Sequence, residues 1–308
     1  MRPLFAYLFM GFLLLCTAHR PYALPEHAVT VTDFSGTTIT LDKPAKRIVA
    51  LAPHIVENLF SAGAGHAIVG AVDYCDYPPE AVNIPRVGAI SSHSLEAILA
   101  LKPDLVIGWN SGHGGLILPK LATLGIPVYA SNPLKLKDVA KSIRDFGILT
   151  GNTGIAEQQA TQYLTRLNRL RARNQGKPTV SVLYQVWNSP LQTLNDQHII
   201  SDLIQLCNGL NAFGDLPVVA PKLSIESVLA RNPDVIVASG MGEQRPDWLD
   251  EWQQWPSLNA VQSQNLFFIP PDIIQRHTAR ILDGGAQMCE HLDKARHKQP
   301  KSPTPVTE

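Results

Sequence analysis

Short, mainly apolar runs alternate along the chain with stretches whose apolar residues return every three or four positions. The first kind reads as buried strands, at residues 47–51, 68–72, 105–107, 126–129, 179–184, 235–237 and 266–269. The second kind reads as helices, at residues 56–62, 116–124, 136–150, 155–174, 199–207, 248–255 and 276–294. Residues 29–41 alternate apolar and polar around Ser35-Gly36 and read as a β-hairpin. Strands that alternate with helices imply parallel sheets, so the fold class is α/β.

One pattern occurs twice. Ser94-Leu95-Glu96-Ala97-Ile98-Leu99-Ala100 leads to Pro103-Asp104 and then Leu105-Val106-Ile107. Ser224-Ile225-Glu226-Ser227-Val228-Leu229-Ala230 leads to Pro233-Asp234 and then Val235-Ile236-Val237. Ser, Glu, Leu, Ala, Pro and Asp recur at the same offsets. The serine hydroxyl can cap a first turn, and the glutamate sits where the helix dipole favours a carboxylate. Leu95, Ile98 and Leu99 form a short apolar face. Proline then stops the helix, and a central strand follows. Two copies predict two similar lobes, each a mainly parallel sheet flanked by helices.

Residues 155–174 stand between the copies and contain no breaker. Ile155, Ala160, Tyr163, Leu164, Leu167 and Leu170 keep helical spacing, over a length of roughly 30 Å. A long helix joins the lobes rigidly, unlike a Gly/Ser linker. The expected organisation is a signal peptide at 1–23, an N-terminal lobe at 24–150, an interlobe helix at 151–176, a C-terminal lobe at 177–296 and a disordered tail at 297–308. The leader has Arg2 followed by an apolar run from Leu4 to Thr17, too short for a stable span. Leu15 precedes Cys16 where a lipoprotein signal wants a small residue, so a cleaved signal and work outside the cytoplasm are expected.

Lys+Arg and Asp+Glu both number 26, which argues against nucleic acid as a partner. No Gly-rich loop ending in Lys-Ser/Thr is present, so the chain is not itself a P-loop ATPase. Of the four cysteines, Cys16 leaves with the signal. Cys207 and Cys289 lie on apolar, helix-like stretches; a bridge between them would contribute roughly 4 kcal/mol and leave Cys75 unpaired.

In open parallel sheets ligands bind beyond the carboxyl ends of the strands. The residues there are Pro53 and His54, then Tyr74, Asp76 and Tyr77, then Trp109 to His113. The second lobe adds Gln185 to Asn188, Gly240 to Gly242, and Asp272 to Arg276. This set is rich in aromatics and poor in acids and bases, which suits a cleft gripping a large, partly apolar ligand. No nucleophile-elbow motif accompanies the Ser, His and Asp residues, so no enzyme is expected. His54, His93, His113 and His277 leave a metal-dependent hydrolase as the alternative outside the binding class, although their spacing matches no ligand pattern.

Phe34-Ser35-Gly36, residues 47–53 and the interlobe helix resemble the helical-backbone solute-binding proteins of ABC importers, which serve siderophores, haem, metals and cobalamin. Tyr74-Cys75-Asp76-Tyr77-Pro78-Pro79, the stretch from Ser94 to Trp109, residues 226–231, and Asp272 with Arg276 are most similar to the cobalamin-binding members. The likeness covers roughly residues 45–293.

The resemblance implies a corrinoid as transported ligand and no resident cofactor or metal. Haem or a ferric siderophore is the alternative within the family. It places Tyr74, Asp76, Trp109, Trp187, Asp272 and Arg276 at the ligand, and pairs Cys207 with Cys289. Glu96 and Glu226 would dock onto arginines of a permease dimer served by its ATPase, and the protein would act as a periplasmic monomer. Ile90 and Ala220 depart from the pattern, standing where those members carry cleft tryptophans.

Overall fold

The computed structural model describes residues 28–240, 242 and 244–298. The expected signal segment with Cys16, and the part of the expected tail from residue 299 on, lie outside them. In chain order the first lobe carries β1 (Val29–Thr32), β2 (Thr38–Leu41), β3 (Ile48–Ala50), α1 (Pro53–Ser61), β4 (Ile68–Ala71), β5 (Gly88–Ala89), β6 (Ser92–His93), α2 (Leu95–Ala100), β7 (Leu105–Trp109), α3 (Leu118–Thr123), β8 (Val128–Ser131) and α4 (Leu136–Thr150). Helix α5 (Thr153–Asn174) follows. The second lobe carries β9 (Val180–Gln185), α6 (Ile199–Leu206), β10 (Gly209–Asn211), α7 (Ile225–Arg231), β11 (Val235–Ala238), α8 (Asn259–Gln262), β12 (Leu266–Phe268), α9 (Pro271–Ile274) and α10 (Ile281–Lys298).

Each lobe is built on a four-stranded sheet, ordered β4-β3-β7-β8 in the first and β10-β9-β11-β12 in the second. Every pairing within these two sheets is parallel. Numbered within its own lobe, each sheet has the order 2-1-3-4. The repeated motif therefore supplies the same unit twice: α2 with interior strand β7, and α7 with interior strand β11. Ser94 and Ser224 cap their helices as expected, accepting from Ala97 N at 3.1 Å and Ser227 N at 3.2 Å. Only Ile98 and Val228 of each short helix are fully buried, and Leu99 is exposed. Six or seven residues give too few turns for a wider apolar face.

The first-lobe strands read as buried runs because both faces are covered: Ile48, Val49, Ala50, Leu105, Val106 and Ile107 are sealed from solvent. In the second lobe the period of two shows directly. Val180, Val182 and Tyr184 of β9 join the large core, while Leu183 joins a separate cluster with Ile236, Leu249 and Trp252. The large core is continuous from the first lobe through α5, α6 and α10 into the second.

Helix α5 spans roughly 33 Å and packs along α4. Gly151 turns the chain between them at φ 76°. At Gly147 the two helices approach so closely that a Cβ would stand 2.1 Å from that of Ala156. The buried stripe of α5 is Ala156, Ala160, Tyr163 and Leu167, one position off from the expected start at Ile155, which is half exposed. The Tyr163 hydroxyl donates to Leu136 O at 2.8 Å, and Leu136 N donates to Asp202 Oδ2 at 2.7 Å, which links α5, α4 and α6. Arg166 pairs with Asp283 of α10 at 2.5 Å. Cys207 and Cys289 form a disulfide that fastens the end of α6 to α10. Cys75 is free and buried.

Four expectations change. The helix expected at 248–255 is a 3-10 run, Asp247–Gln254, because Leu249 and Trp252 bury at a spacing of three. The loop expected at 270–274 holds the single turn α9. The last helix begins at Ile281 rather than Arg276, since the Thr278 hydroxyl accepts from Arg280 N and residues 276–280 are committed to contacts with the first lobe. It continues to Lys298, so residues 297 and 298 belong to the helix and not to a tail. The edge strand β10 and the small hairpin β5-β6 were not expected; strands so short leave no alternation to read.

Candidate functional site

Parallel strands place all their carboxyl ends on one side of a sheet, and the connections that leave those ends meet at the seam between the lobes. From the first lobe come His54 and Glu57 at the start of α1, the loop after β4, and Trp109 at the end of β7. From the second come His198 before α6 and residues 272–280 between α9 and α10. Asn58 Nδ2 donates to His277 O at 3.0 Å across this seam.

Charge and aromatic contacts form two adjoining networks. Arg276, whose side chain is only 13% exposed, contacts three carboxylates: Glu57 at 3.0 Å, Asp76 at 2.7 Å and Asp272 at 2.8 Å. Glu57 is 3% exposed and also accepts from Arg280 at 2.7 Å. Arg280 lies 3.8 Å over the ring of Tyr77, a cation–π contact. Burial works against charge on Asp76, but its hydrogen bond and attraction to Arg276 outweigh it and hold the carboxyl below its ordinary range. Burial likewise opposes the Arg276 charge, while Asp76 and Glu57 keep it firmly protonated.

The second network is imidazole and indole. His277 faces His54 at 5.6 Å between ring centroids, Trp109 at 5.7 Å and His198 at 5.4 Å. His54 meets Trp109 edge-on at 5.4 Å. Burial lowers His54 to about 3 and His198 to about 4, and drives His277 well below its ordinary value, so all three are neutral. Trp109 is half-buried, and its Nε1 is shut away from solvent without a hydrogen-bond partner. Among the described residues no three His, Cys, Asp or Glu side chains converge to hold a metal ion.

Two exposed aromatic rings lie outside these networks, one on each lobe. Tyr74 is 70% exposed, with its backbone in the left-handed region at φ 62°, unusual for an aromatic residue. Trp187 is 42% exposed on the opposite lobe, its indole N–H anchored on Ser189 O at 2.9 Å. Exposed aromatic faces on both lobes, together with a charged and aromatic seam, are the groups that suit a ligand with broad flat surfaces and polar edges.

Comparison with known proteins bears on this arrangement. A family description of periplasmic binding proteins matches residues 48–273. The chain belongs to the periplasmic binding protein family. A "Vitamin B12-binding protein" of Vibrio cholerae is 35% identical over 249 residues, covering 81% of this chain and 90% of that one. The crystal structure of the periplasmic vitamin B12 binding protein BtuF of Vibrio cholerae superposes with a TM-score of 0.76 at 34% identity, covering 82% of this chain and 98% of that one. A periplasmic heme-binding protein, RhuT from Roseiflexus, has the same fold, with a TM-score of 0.70 at 23% identity over 82% of this chain and 99% of that one. Among the described residues of this periplasmic binding protein no helix is long and apolar enough to cross a membrane.

Of the residues expected at the ligand, the structure brings Asp76, Asp272 and Arg276 into one ion cluster, while Tyr74 and Trp187 are exposed and are not part of it. Trp109 lies deeper, packed on His54 and His277. Glu96 and Glu226 are exposed at the first turns of α2 and α7. Ile90 occupies the turn of the β5-β6 hairpin, and Ala220 an exposed loop of the second lobe. Sequence reading missed Glu57, Arg280 and His198. Glu57 carried a signal: it is a carboxylate on a helix whose Ile55, Val56 and Leu59 are apolar.

Proposed function

We propose that this protein captures cobalamin or a related corrinoid between its lobes outside the cytoplasm and hands it to an ABC importer. One observation carries this reading: a 35% identical relative, matched over 81% of this chain and 90% of its own length, is named for vitamin B12. The exposed rings Tyr74 and Trp187 supply faces for a corrin ring, and the Asp76–Arg276–Asp272 cluster supplies donors and acceptors for its amide side chains. Trp109 packs within the seam. The cobalt chemistry belongs to the cargo, so the protein needs no resident cofactor and performs no reaction. Glu96 and Glu226, exposed in equivalent places on the two lobes, are the contacts for a permease dimer whose ATPase drives uptake. The leader at 1–23 directs the chain across the inner membrane and is removed, and the mature protein works as a monomer.

The test is a titration of purified protein with cyanocobalamin, followed by calorimetry and tryptophan quenching, with haemin and a ferric hydroxamate siderophore in parallel. Saturable cobalamin binding that haemin does not displace is the expected result. Binding of haemin or siderophore with no response to cobalamin overturns the corrinoid assignment.

A further inference from the structure

The 3-10 run Asp247–Gln254 uses side chains that the corrinoid reading leaves idle. Three residues per turn stack Trp248 above Glu251, and Trp252 above Trp255, in adjacent columns. Together with Asn188 they line a hollow of about 400 Å³ on the second lobe. Trp252 and Trp255 meet at 5.5 Å with their planes 55° apart, which makes a concave aromatic corner. Trp248 forms a further wall and packs 3.5 Å from where a Cβ on Gly240 would stand.

The polar groups are arranged as firmly as the rings. The buried Trp252 Nε1 donates to Gln185 Oε1 at 2.7 Å, and Gln185 Nε2 donates to Asn188 Oδ1 at 3.1 Å. Asn188 Nδ2 then reaches Glu251 Oε2 at 3.4 Å. This chain of contacts runs from the interior of β9 to the mouth of the hollow and holds the carboxylate beside it. Among the described residues Glu251 enters no ion pair, whereas its neighbour Asp250 is taken up by Arg245 at 2.6 Å. Asp247 adds a further negative charge on the same run.

Indole faces attract cations through their quadrupole, and tryptophan does so best. A carboxylate without a counter-ion adds to that attraction. A sugar would also stack on tryptophan, but a neutral ligand would gain no Coulombic attraction from Glu251.

We infer that this hollow is a binding site for a compact organic cation of the quaternary ammonium class. The inference does not rest on the corrinoid assignment: Gln185 and Asn188 belong to the strand-end set, but the three tryptophans and Glu251 do not, and none of them joins the seam networks.

Choline, titrated calorimetrically at constant ionic strength, is the probe. Its uncharged counterpart of the same shape, 3,3-dimethyl-1-butanol, and glucose are run beside it. The cage predicts saturable choline binding, with the alcohol at least about tenfold weaker and glucose inert. Glu251→Gln and Trp248→Ala should each weaken choline about tenfold. Glu251 is on the surface, so its substitution leaves folding untouched; thermal unfolding checks the Trp248 variant. No saturable binding up to about 50 mM choline, equal affinity for the alcohol, glucose binding in its place, or choline affinity unchanged by Glu251→Gln each overturns the inference.

Discussion

Glu57 on α1 accepts from Arg276, on the far side of the seam, at 3.0 Å. Arg280 shares the same carboxylate, so one buried acid holds two guanidiniums from the other lobe. Removing one partner of a buried pair costs more than the pair contributes, because the remaining charge is stranded. Glu57→Gln should therefore destabilise the protein by about 3 kcal/mol, read as a lower urea midpoint. Asp76 is half exposed, and Asp76→Asn should cost less than about 1 kcal/mol. Equal losses for the two variants would mean that Glu57 does not anchor the cluster.

Trp109 and Trp187 separate packing from contact with cargo. Trp109→Ala empties the space against His54 and His277 and should cost about 2 kcal/mol or more in stability. Trp187→Ala should leave stability within about 1 kcal/mol, as expected for an exposed ring. On the corrinoid reading Trp187→Ala should still weaken cobalamin by roughly 1–3 kcal/mol. Calorimetry showing unchanged affinity for that variant would remove Trp187 from the ligand surface.

The repeat was legible because a serine cap, a first-turn glutamate and a Pro-Asp stop each carry a local physical signal. They placed the interior strands β7 and β11 and the capped helices that precede them. The seam was legible only as a set of strand ends. Arg276 and Arg280 keep helical spacing with the residues that follow, so periodicity absorbed them into the last helix. What pulls them out of it is a charge on α1, more than two hundred residues away in sequence. His198 offered no signal of its own, because a histidine before an apolar helix usually faces water. No periodicity reports which lobe it will meet. Trp109 looked like a rim residue because a strand end names a position and not its depth.

The thiols have distinct fates. The Cys207–Cys289 bridge closes a span of 82 residues, worth about 4 kcal/mol by loop entropy. Reduction should lower the thermal midpoint without abolishing the fold. Cys75 is buried, and burial pushes its thiol up to about 12. It should resist iodoacetamide in native protein at pH 8 and react once urea unfolds the chain. Fast labelling of the native protein would place Cys75 at the surface.

Acid should loosen the seam before it titrates most carboxylates. His54 and His198 are held neutral, at about 3 and about 4, against an ordinary value of 6.5. Between those values the unfolded chain binds protons that the folded chain does not, so stability falls as pH falls from 6.5. His54 faces Trp109, Ser131 and His277, and His198 faces His277 and the Ile200 N–H; none of these is a carboxylate that would stabilise an imidazolium. Urea midpoints should drop between pH 6.5 and 5, and His54→Phe should flatten part of that slope. A flat profile across this window would mean that the histidines are solvated in the folded state.

Glu96 and Glu226 occupy the same place in two copies of one unit, each exposed behind a serine cap. Favourable interaction with a helix start accounts for about 0.3–1 kcal/mol each and requires nothing beyond the protein itself. A docking role requires more: two matched acidic knobs on two lobes, meeting two subunits of a permease. Mutation separates these accounts. Changing both residues to Gln should leave corrinoid affinity nearly intact, because neither touches the ion cluster or the exposed rings. It should sharply reduce binding to permease in liposomes and slow uptake, and by more than either single change, since a paired contact then loses both anchors. Raised salt should weaken wild-type docking in the same direction. If the double variant docks normally while losing corrinoid affinity, the two carboxylates serve the cargo and not the importer.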